Sequence, residues 1–146
     1  MNKGTFEQQL ETKGYLVYKV AGCSMAPLLR ENRDLVVIRA AGERKYRRYD
    51  VVLYRVGERY VLHRILKARE NEYTLCGDRC TAKEYGVSRS QILGIMTAYV
   101  RDGKERTTHT VRYRVYSHLW CDFFWVRIAV IKSGSLIRSL FGRGRK

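Results

Sequence analysis

One serine lies in a local sequence that could support nucleophilic catalysis. A hydroxyl is a weak nucleophile until a nearby base accepts its proton, so a catalytic serine is expected on a rigid, exposed turn. Ser24 has such a setting, because Gly22 permits close backbone approach and Pro27 stiffens the exit of the turn. The turn residues around it are Gly22, Cys23, Met25 and Pro27. The short turn would present Oγ and the N–H of Ser24 to one point, where the N–H could serve as an oxyanion donor.

The candidate base is His63. On a strand, His63 shares its face with Val61 and Ile65, which are both apolar. A histidine in that setting is either a catalytic base or a buried structural residue whose ring is satisfied by hydrogen bonds. His109 and His118 lie in polar or C-terminal surroundings without a nucleophile motif, and no role is predicted for them.

A base of this kind needs a carboxylate that orients the imidazole and stabilises its charged form. Asp78 is the nearest acid after the strand that follows His63, and Glu84 lies six residues further on. The Gly77-Asp78 pair is also an ordinary turn sequence. The residues alone therefore leave Asp78, Glu84 and a purely structural role for the turn open.

The elements that position these residues are mostly short strands. Apolar runs bounded by charged or glycine-containing turns predict strands over residues 15–21, 35–40, 51–56, 60–66, 73–76, 91–101 and 110–116. A capping-box pattern, Thr5 to Gln8, predicts a short helix that ends near Gly14. The expected fold is a mostly β domain with a short N-terminal helix and a C-terminal helix.

The C-terminal part of the chain differs in character. Residues 119–131 form the most apolar stretch and predict a helix, which a basic tail follows. Asp122, Arg127 and Lys132 interrupt this stretch, which disfavours a membrane span. An interfacial helix, or a helix docked on the sheet or on a second subunit, remains open. The predicted division is a β domain over 1–117 and a basic, partly apolar helix and tail over 118–146.

Composition excludes several classes of protein. The 146 residues suit one domain, and 45% hydrophobic content excludes global disorder. Lys and Arg number 29 against 14 Asp and Glu, a net charge of +15, and residues 101–146 hold eleven of these cations against three acids. Such a surface attracts anionic lipid, nucleic acid or acidic proteins. No nucleic-acid motif is present, so no nucleic-acid partner is expected.

The cysteines predict no metal site, and the N-terminal residues predict no signal peptide. Cys76 and Cys80 form a single pair without a second pair or a histidine set, so no metal site is predicted. Residues 1–14 lack an apolar segment, which argues against a signal peptide. Reduced thiols and a cytoplasmic or peripheral membrane location are the expectation.

Six segments, in this order, resemble the S24/S26 peptidase superfamily, which joins signal peptidases with repressor-type self-cleaving proteases. The resemblance covers about residues 15–101. The matching segments are Gly22-x-Ser24-Met25-x-Pro27-Leu28, residues 34–38, residues 50–54, His63-Arg64-Ile65, Gly77-Asp78 and residues 92–95. Many relatives have Lys-Arg where this chain has His63-Arg64, so it is similar to the Ser-His-Asp subgroup typified by endoplasmic-reticulum and archaeal signal peptidases.

The resemblance implies a signal-peptidase-like β fold and a serine endopeptidase that cleaves a precursor or leader peptide through an acyl-enzyme, without a cofactor. It implies Ser24 as nucleophile and His63 as base. The acid in that subgroup can lie several residues beyond Gly-Asp, which keeps Glu84 as an alternative, but Asp78 is favoured because it retains the residue type. A non-catalytic peptide- or membrane-binding accessory protein of the same fold is the alternative function.

The sequence differs from signal peptidases in two features, which concern the oxyanion donor and the membrane anchor. Gly22 stands where signal peptidases often carry a serine as a side-chain oxyanion donor. The chain begins with a polar helix where signal peptidases usually have a membrane anchor. Any contact with an anionic membrane is therefore expected through residues 118–146.

Overall fold

The structure, a computed structural model, describes residues 4–40 and 42–141. The helices are α1 (Gly4–Lys13), α2 (Val111–Asp122) and α3 (Phe124–Phe141). The strands are β1 (Tyr15–Lys19), β2 (Leu35–Arg39), β3 (Val51–Val56), β4 (Arg59–Ala68), β5 (Glu72–Cys76), β6 (Glu84–Ser88), β7 (Ile92–Arg101) and β8 (Lys104–Thr107). The mostly β fold with a short N-terminal helix is confirmed, and the C-terminal part contains two helices.

Within the described part of the chain, the strands form one antiparallel sheet in the order β1-β2-β7-β3-β4-β5-β6, and β8 pairs with β7. Strands β1 and β6 are the ends of this order. The turn of residues 22–27, which carries Ser24, lies between β1 and β2, and His63 lies on β4. The turn must therefore reach across the sheet for Ser24 to approach His63.

Two clusters of buried side chains cover the faces of the sheet. Strand β3 contributes to both, because Val51 and Leu53 join one cluster while Val52 and Tyr54 join the other. The first cluster also receives Met25 from the turn of residues 22–27, which anchors that turn to the sheet. The second cluster lies on the face of β4 that carries His63, as the pairing of Val52 with His63 requires.

The six predicted strands from residue 15 to residue 101 are confirmed with small shifts at their ends. Strands β6 and β8 were not predicted. All four residues of β8 are exposed, so the segment has no apolar pattern that could reveal it. Strand β6 contains Gly86 at φ 68°, which breaks the alternation expected of a strand.

The strand predicted over residues 110–116 is wrong, because this segment begins α2. Thr110 caps the helix by accepting a hydrogen bond from the Tyr113 N–H at 3.3 Å. Tyr113, Ser117 and Trp120 then recur at helical spacing and face the sheet. The alternating valines mimicked a strand, but Val111 and Val115 are exposed on the helix.

Helix α2 crosses the predicted division between residues 117 and 118, and Ser117 accepts a hydrogen bond from Arg64 on β4. The side chain of Thr5, and therefore the predicted capping box, lies outside the described residues, as do residues 142–146 of the basic tail. Over residues 4–40 and 42–141, no helix is both long and apolar enough to cross a membrane.

Candidate active site

The turn that carries Ser24 needs Gly22 for its backbone conformation and not for the predicted close backbone approach, because a Cβ atom there would meet no atom within 4 Å. Gly22 adopts φ 76°, a left-handed conformation that favours glycine, and its N–H donates to the Glu31 carboxylate at 3.0 Å. Met25 is buried below the turn, whereas Ser24 is half-buried at its surface. Cys23 and Pro27 are exposed on either side. The turn therefore holds its backbone firmly and leaves the Ser24 side chain accessible.

Gly77 lies between Ser24 and His63. A Cβ atom on Gly77 would lie 2.6 Å from the Ser24 carbonyl oxygen and 3.0 Å from His63 Nε2. The Arg79 N–H also donates to the Ser24 carbonyl at 2.8 Å. The turn of residues 22–27 and the imidazole thus meet at one backbone position where only glycine fits without displacement.

The opposite nitrogen of the imidazole faces a tyrosine and a carboxylate. His63 Nδ1 lies 2.9 Å from the Tyr54 hydroxyl and 3.3 Å from Glu84 Oε1. The Tyr54 hydroxyl donates to Glu84 Oε2 at 2.5 Å. Glu84, the alternative acid of the sequence analysis, is therefore the carboxylate that contacts the imidazole.

Asp78, the favoured acid, has a different partner. Its two carboxylate oxygens accept hydrogen bonds from Arg64 Nε and Nη2, both at 2.8 Å, and both side chains are fully buried. The Tyr116 hydroxyl also donates to Asp78 at 2.9 Å. Arg64 and His63 are neighbours on β4 and point to opposite faces of the sheet. Among the described residues, Asp78 makes no hydrogen bond to His63, so the prediction that it orients the imidazole does not match the geometry.

Helix α3 contributes an arginine that the sequence analysis treated only as an interruption of an apolar stretch. Arg127 is fully buried, and its Nη2 donates to the carbonyl oxygens of Gly77 and Cys80. It also lies 3.1 Å from Cys76 Sγ. The loop that carries Gly77 is thereby fixed to α3. The available signal was a cation inside the apolar stretch of residues 119–131, because such a charge is buried only when it has partners.

The surroundings change the titration of the groups at the site. Burial lowers the pKa of His63 below 6.5, with a smaller contribution in the same direction from the Arg127 charge, while Glu84 and Asp78 oppose the shift. Burial and the hydrogen bond to Glu84 raise the pKa of Tyr54. At neutral pH the imidazole is therefore a neutral base and Tyr54 retains its proton.

The described structure leaves the groups needed for acyl transfer available. Neither Oγ nor the N–H of Ser24 makes a hydrogen bond to another described residue. The N–H is free to bind an oxyanion, and Oγ is free to meet a substrate. Contacts of this type often close only when substrate is bound.

A cleft of about 560 Å³ opens beside Ser24. It lies between the end of β1 and the start of β4, and its wall is mostly apolar. The side chains that line it near the nucleophile include Tyr18, Val20, Met25, Tyr60 and Leu62. The cleft can accept a mainly apolar segment whose backbone passes the Ser24 hydroxyl.

The four cysteines are free thiols, and burial raises the pKa values of Cys76 and Cys80. Among the described residues, no group of three or more His, Cys, Asp and Glu side chains is arranged to bind a metal. Comparisons with models of protein families, with curated proteins and with solved structures found no match to this chain.

Proposed function

We propose that the protein is a serine endopeptidase of signal-peptidase type, in which Ser24 is the nucleophile, His63 the general base and Glu84 the acid that orients it. The observation that carries this proposal is the meeting of the Ser24 turn and His63 Nε2 at Gly77, while His63 Nδ1 contacts Tyr54 and Glu84. A nucleophile, a base and an orienting acid in one site have the composition of a catalytic triad.

The reaction starts when Ser24 Oγ attacks a peptide carbonyl carbon and His63 Nε2 takes the hydroxyl proton. The Ser24 N–H donates to the oxyanion that forms. The C–N bond then breaks, His63 returns the proton to the departing amine, and the N-terminal fragment remains as an ester on Ser24. Water attacks this ester with His63 again as base, and the free acid and the hydroxyl of Ser24 are regenerated.

A peptide in extended conformation fits the site best. Strand β1 ends the sheet order, so its outer side offers backbone groups for pairing, and it leads directly into the nucleophile turn. The apolar cleft beside Ser24 would receive the side chains of substrate residues next to the scissile bond. A precursor or leader peptide with an unstructured, apolar cleavage region is the proposed substrate.

Mass spectrometry of cleavage products from a mixed pool of leader and precursor peptides tests the proposal. The wild type is compared with Ser24→Ala and His63→Ala, and exposed Ser133→Ala and His109→Ala are the matched controls. We expect specific cuts with the wild type and both controls and none with the two site variants. Cuts that persist in Ser24→Ala would refute the assignment.

The exposed face of α3 supports a second, accessory role at an anionic membrane. Three apolar side chains of α3 are exposed: Trp125 at 71%, Val130 at 48% and Val126 at 37%. Residues 101–146 carry a large excess of cations. An apolar helix face with a tryptophan, within a cationic segment, suits the interface of a bilayer that contains anionic lipid.

Sedimentation with vesicles of phosphatidylserine and phosphatidylcholine tests this role. The full chain is compared with Trp125→Ser/Val130→Ser and with Tyr85→Ser, which alters an exposed aromatic side chain on β6. We expect the double variant to lose binding and the Tyr85 control to retain it. Equal binding of all three proteins would refute a role for α3.

A further inference from the structure

Tyr54 belongs to the site although it does not line the cleft. It lies on β3 and is fully buried. Val52, two residues earlier on the same strand, pairs directly with His63 on β4. Residues two apart on a strand share a face, so Tyr54 reaches His63 diagonally across the two strands. The phenol ring is thereby fixed by the sheet itself.

The hydroxyl of Tyr54 has one hydrogen and two polar neighbours. Glu84 Oε2 is 2.5 Å away and His63 Nδ1 is 2.9 Å away. A carboxylate accepts hydrogen bonds and donates none, so the phenol hydrogen must point to Glu84. The phenol oxygen is then left as an acceptor, and the group that can donate to it is an N–H at His63 Nδ1.

We infer that Tyr54 is a positioning residue that holds neutral His63 with its hydrogen on Nδ1 and its lone pair on Nε2. This inference deepens the proposed function and rests on it for its catalytic consequence. A neutral imidazole carries a single hydrogen, so a hydrogen on Nδ1 leaves Nε2 able to accept the proton of Ser24. Glu84 Oε1, at 3.3 Å, is the more distant neighbour of Nδ1, and the phenol transmits the orienting effect of the carboxylate.

The direct test is the position of the His63 hydrogen, measured by nitrogen NMR of protein with labelled histidine. The background is Ser24→Ala, so that the measurement does not depend on catalysis, at a pH where His63 is neutral. We expect Nδ1–H in this parent. Tyr54→Phe removes the nearer acceptor and leaves only Glu84 Oε1 at 3.3 Å, so the share of the Nε2–H form should rise. Tyr73→Phe, at a buried tyrosine of the same core cluster, should change nothing.

Glu84→Ala supplies a second variant on a partly exposed side chain. Without the carboxylate, the Tyr54 hydrogen is free to point to Nδ1, and the imidazole hydrogen should move to Nε2. Nε2–H in the parent, or a form unchanged in both Tyr54→Phe and Glu84→Ala, would overturn the inference. Nδ1–H in the parent, with the expected changes in the variants, supports it even if no peptide is cleaved, which would refute the proposed function alone.

Kinetics with a peptide that the wild type cleaves give the catalytic consequence. Loss of one hydrogen bond to a group that becomes charged corresponds to about a 10- to 100-fold lower kcat for Tyr54→Phe. KM should stay unchanged, because Tyr54 is not part of the cleft wall. An unchanged kcat, or a change confined to KM, would contradict the positioning role.

Discussion

Removal of the charge should affect mainly stability at Asp78 and mainly activity at Glu84. Asp78→Asn breaks a fully buried, doubly hydrogen-bonded pair with Arg64 and leaves an arginine charge without its partner. Such a loss costs about 3–5 kcal/mol of unfolding free energy. For a chain of this length, 1 kcal/mol corresponds to about 3 °C in Tm, so the expected decrease is about 10 °C or more.

Glu84→Gln should leave stability nearly intact and lower activity. The Glu84 side chain is 39% exposed, and the substitution conserves its shape. Glutamine keeps an oxygen that can accept the hydrogen bond from Tyr54, so the expected loss of unfolding free energy is about 1 kcal/mol or less. The imidazolium that forms during the reaction loses its compensating charge, and we expect kcat to fall by about 100-fold or more.

Calorimetry and peptide cleavage at 20 °C, well below the lowered Tm, separate the two effects. We expect a destabilised but active Asp78→Asn protein and a stable but slow Glu84→Gln protein. A Glu84→Gln protein with normal kcat, together with an Asp78→Asn protein of normal Tm and at least 100-fold lower kcat, would show that Asp78 is the orienting acid after all.

Three further outcomes follow from the geometry. Gly77→Ala should lower kcat by about 100-fold, because the added Cβ would push Ser24 and His63 apart. Gly94→Ala on β7 also places a Cβ 2.6 Å from a backbone oxygen and should lower Tm while kcat stays unchanged. Equal kcat in the two variants would contradict this expectation. The value of kcat/KM should rise with pH with a midpoint below 6.5, because the base must be neutral and burial disfavours protonated His63. Glu84→Gln should lower this midpoint further, because the Glu84 charge raises the pKa of His63 and the charges of Asp78 and Arg127 are unchanged in the variant. A midpoint above 7 would refute the assignment of His63 as the base. Ionised Asp34 should stabilise the fold above about pH 4, because hydrogen bonds from Arg101 and Arg33 outweigh burial and keep its pKa well below 3.8. This stabilisation should be lost as the pH falls. In urea titrations, the free energy of unfolding should therefore decrease less between pH 7 and pH 3 for Asp34→Asn than for the wild type.

The sequence was sufficient to predict the strands with clear apolar patterns and to single out Ser24 and His63, which both lie near Gly77. Ser24 was singled out because Gly22 and Pro27 frame a short turn; Gly22 adopts φ 76°, but the close backbone approach predicted for it is absent. His63 was found because it stands between apolar neighbours on a strand, and Val61 and Ile65 do share its face. Local patterns of this kind depend only on the geometry of one element.

The carboxylate that contacts His63 could not be chosen from the sequence, because the choice depends on which face of the sheet each carboxylate meets. Arg64, next to His63 in the chain, takes both oxygens of Asp78 on the opposite face. Glu84 begins a strand that the sequence did not reveal. The roles of Tyr54 and Arg127 likewise depend on contacts between distant elements, which no local pattern encodes.

Direct observation of an ester on Ser24 tests the central claim. Protein mixed with a cleavable peptide is quenched in acid at a series of times and analysed by intact mass and peptide mapping. The account predicts a transient adduct with the mass of the N-terminal fragment on Ser24, absent from Ser24→Ala and from His63→Ala. Peptide cleavage in which the adduct maps to another residue, or which continues unchanged in Ser24→Ala, would contradict it.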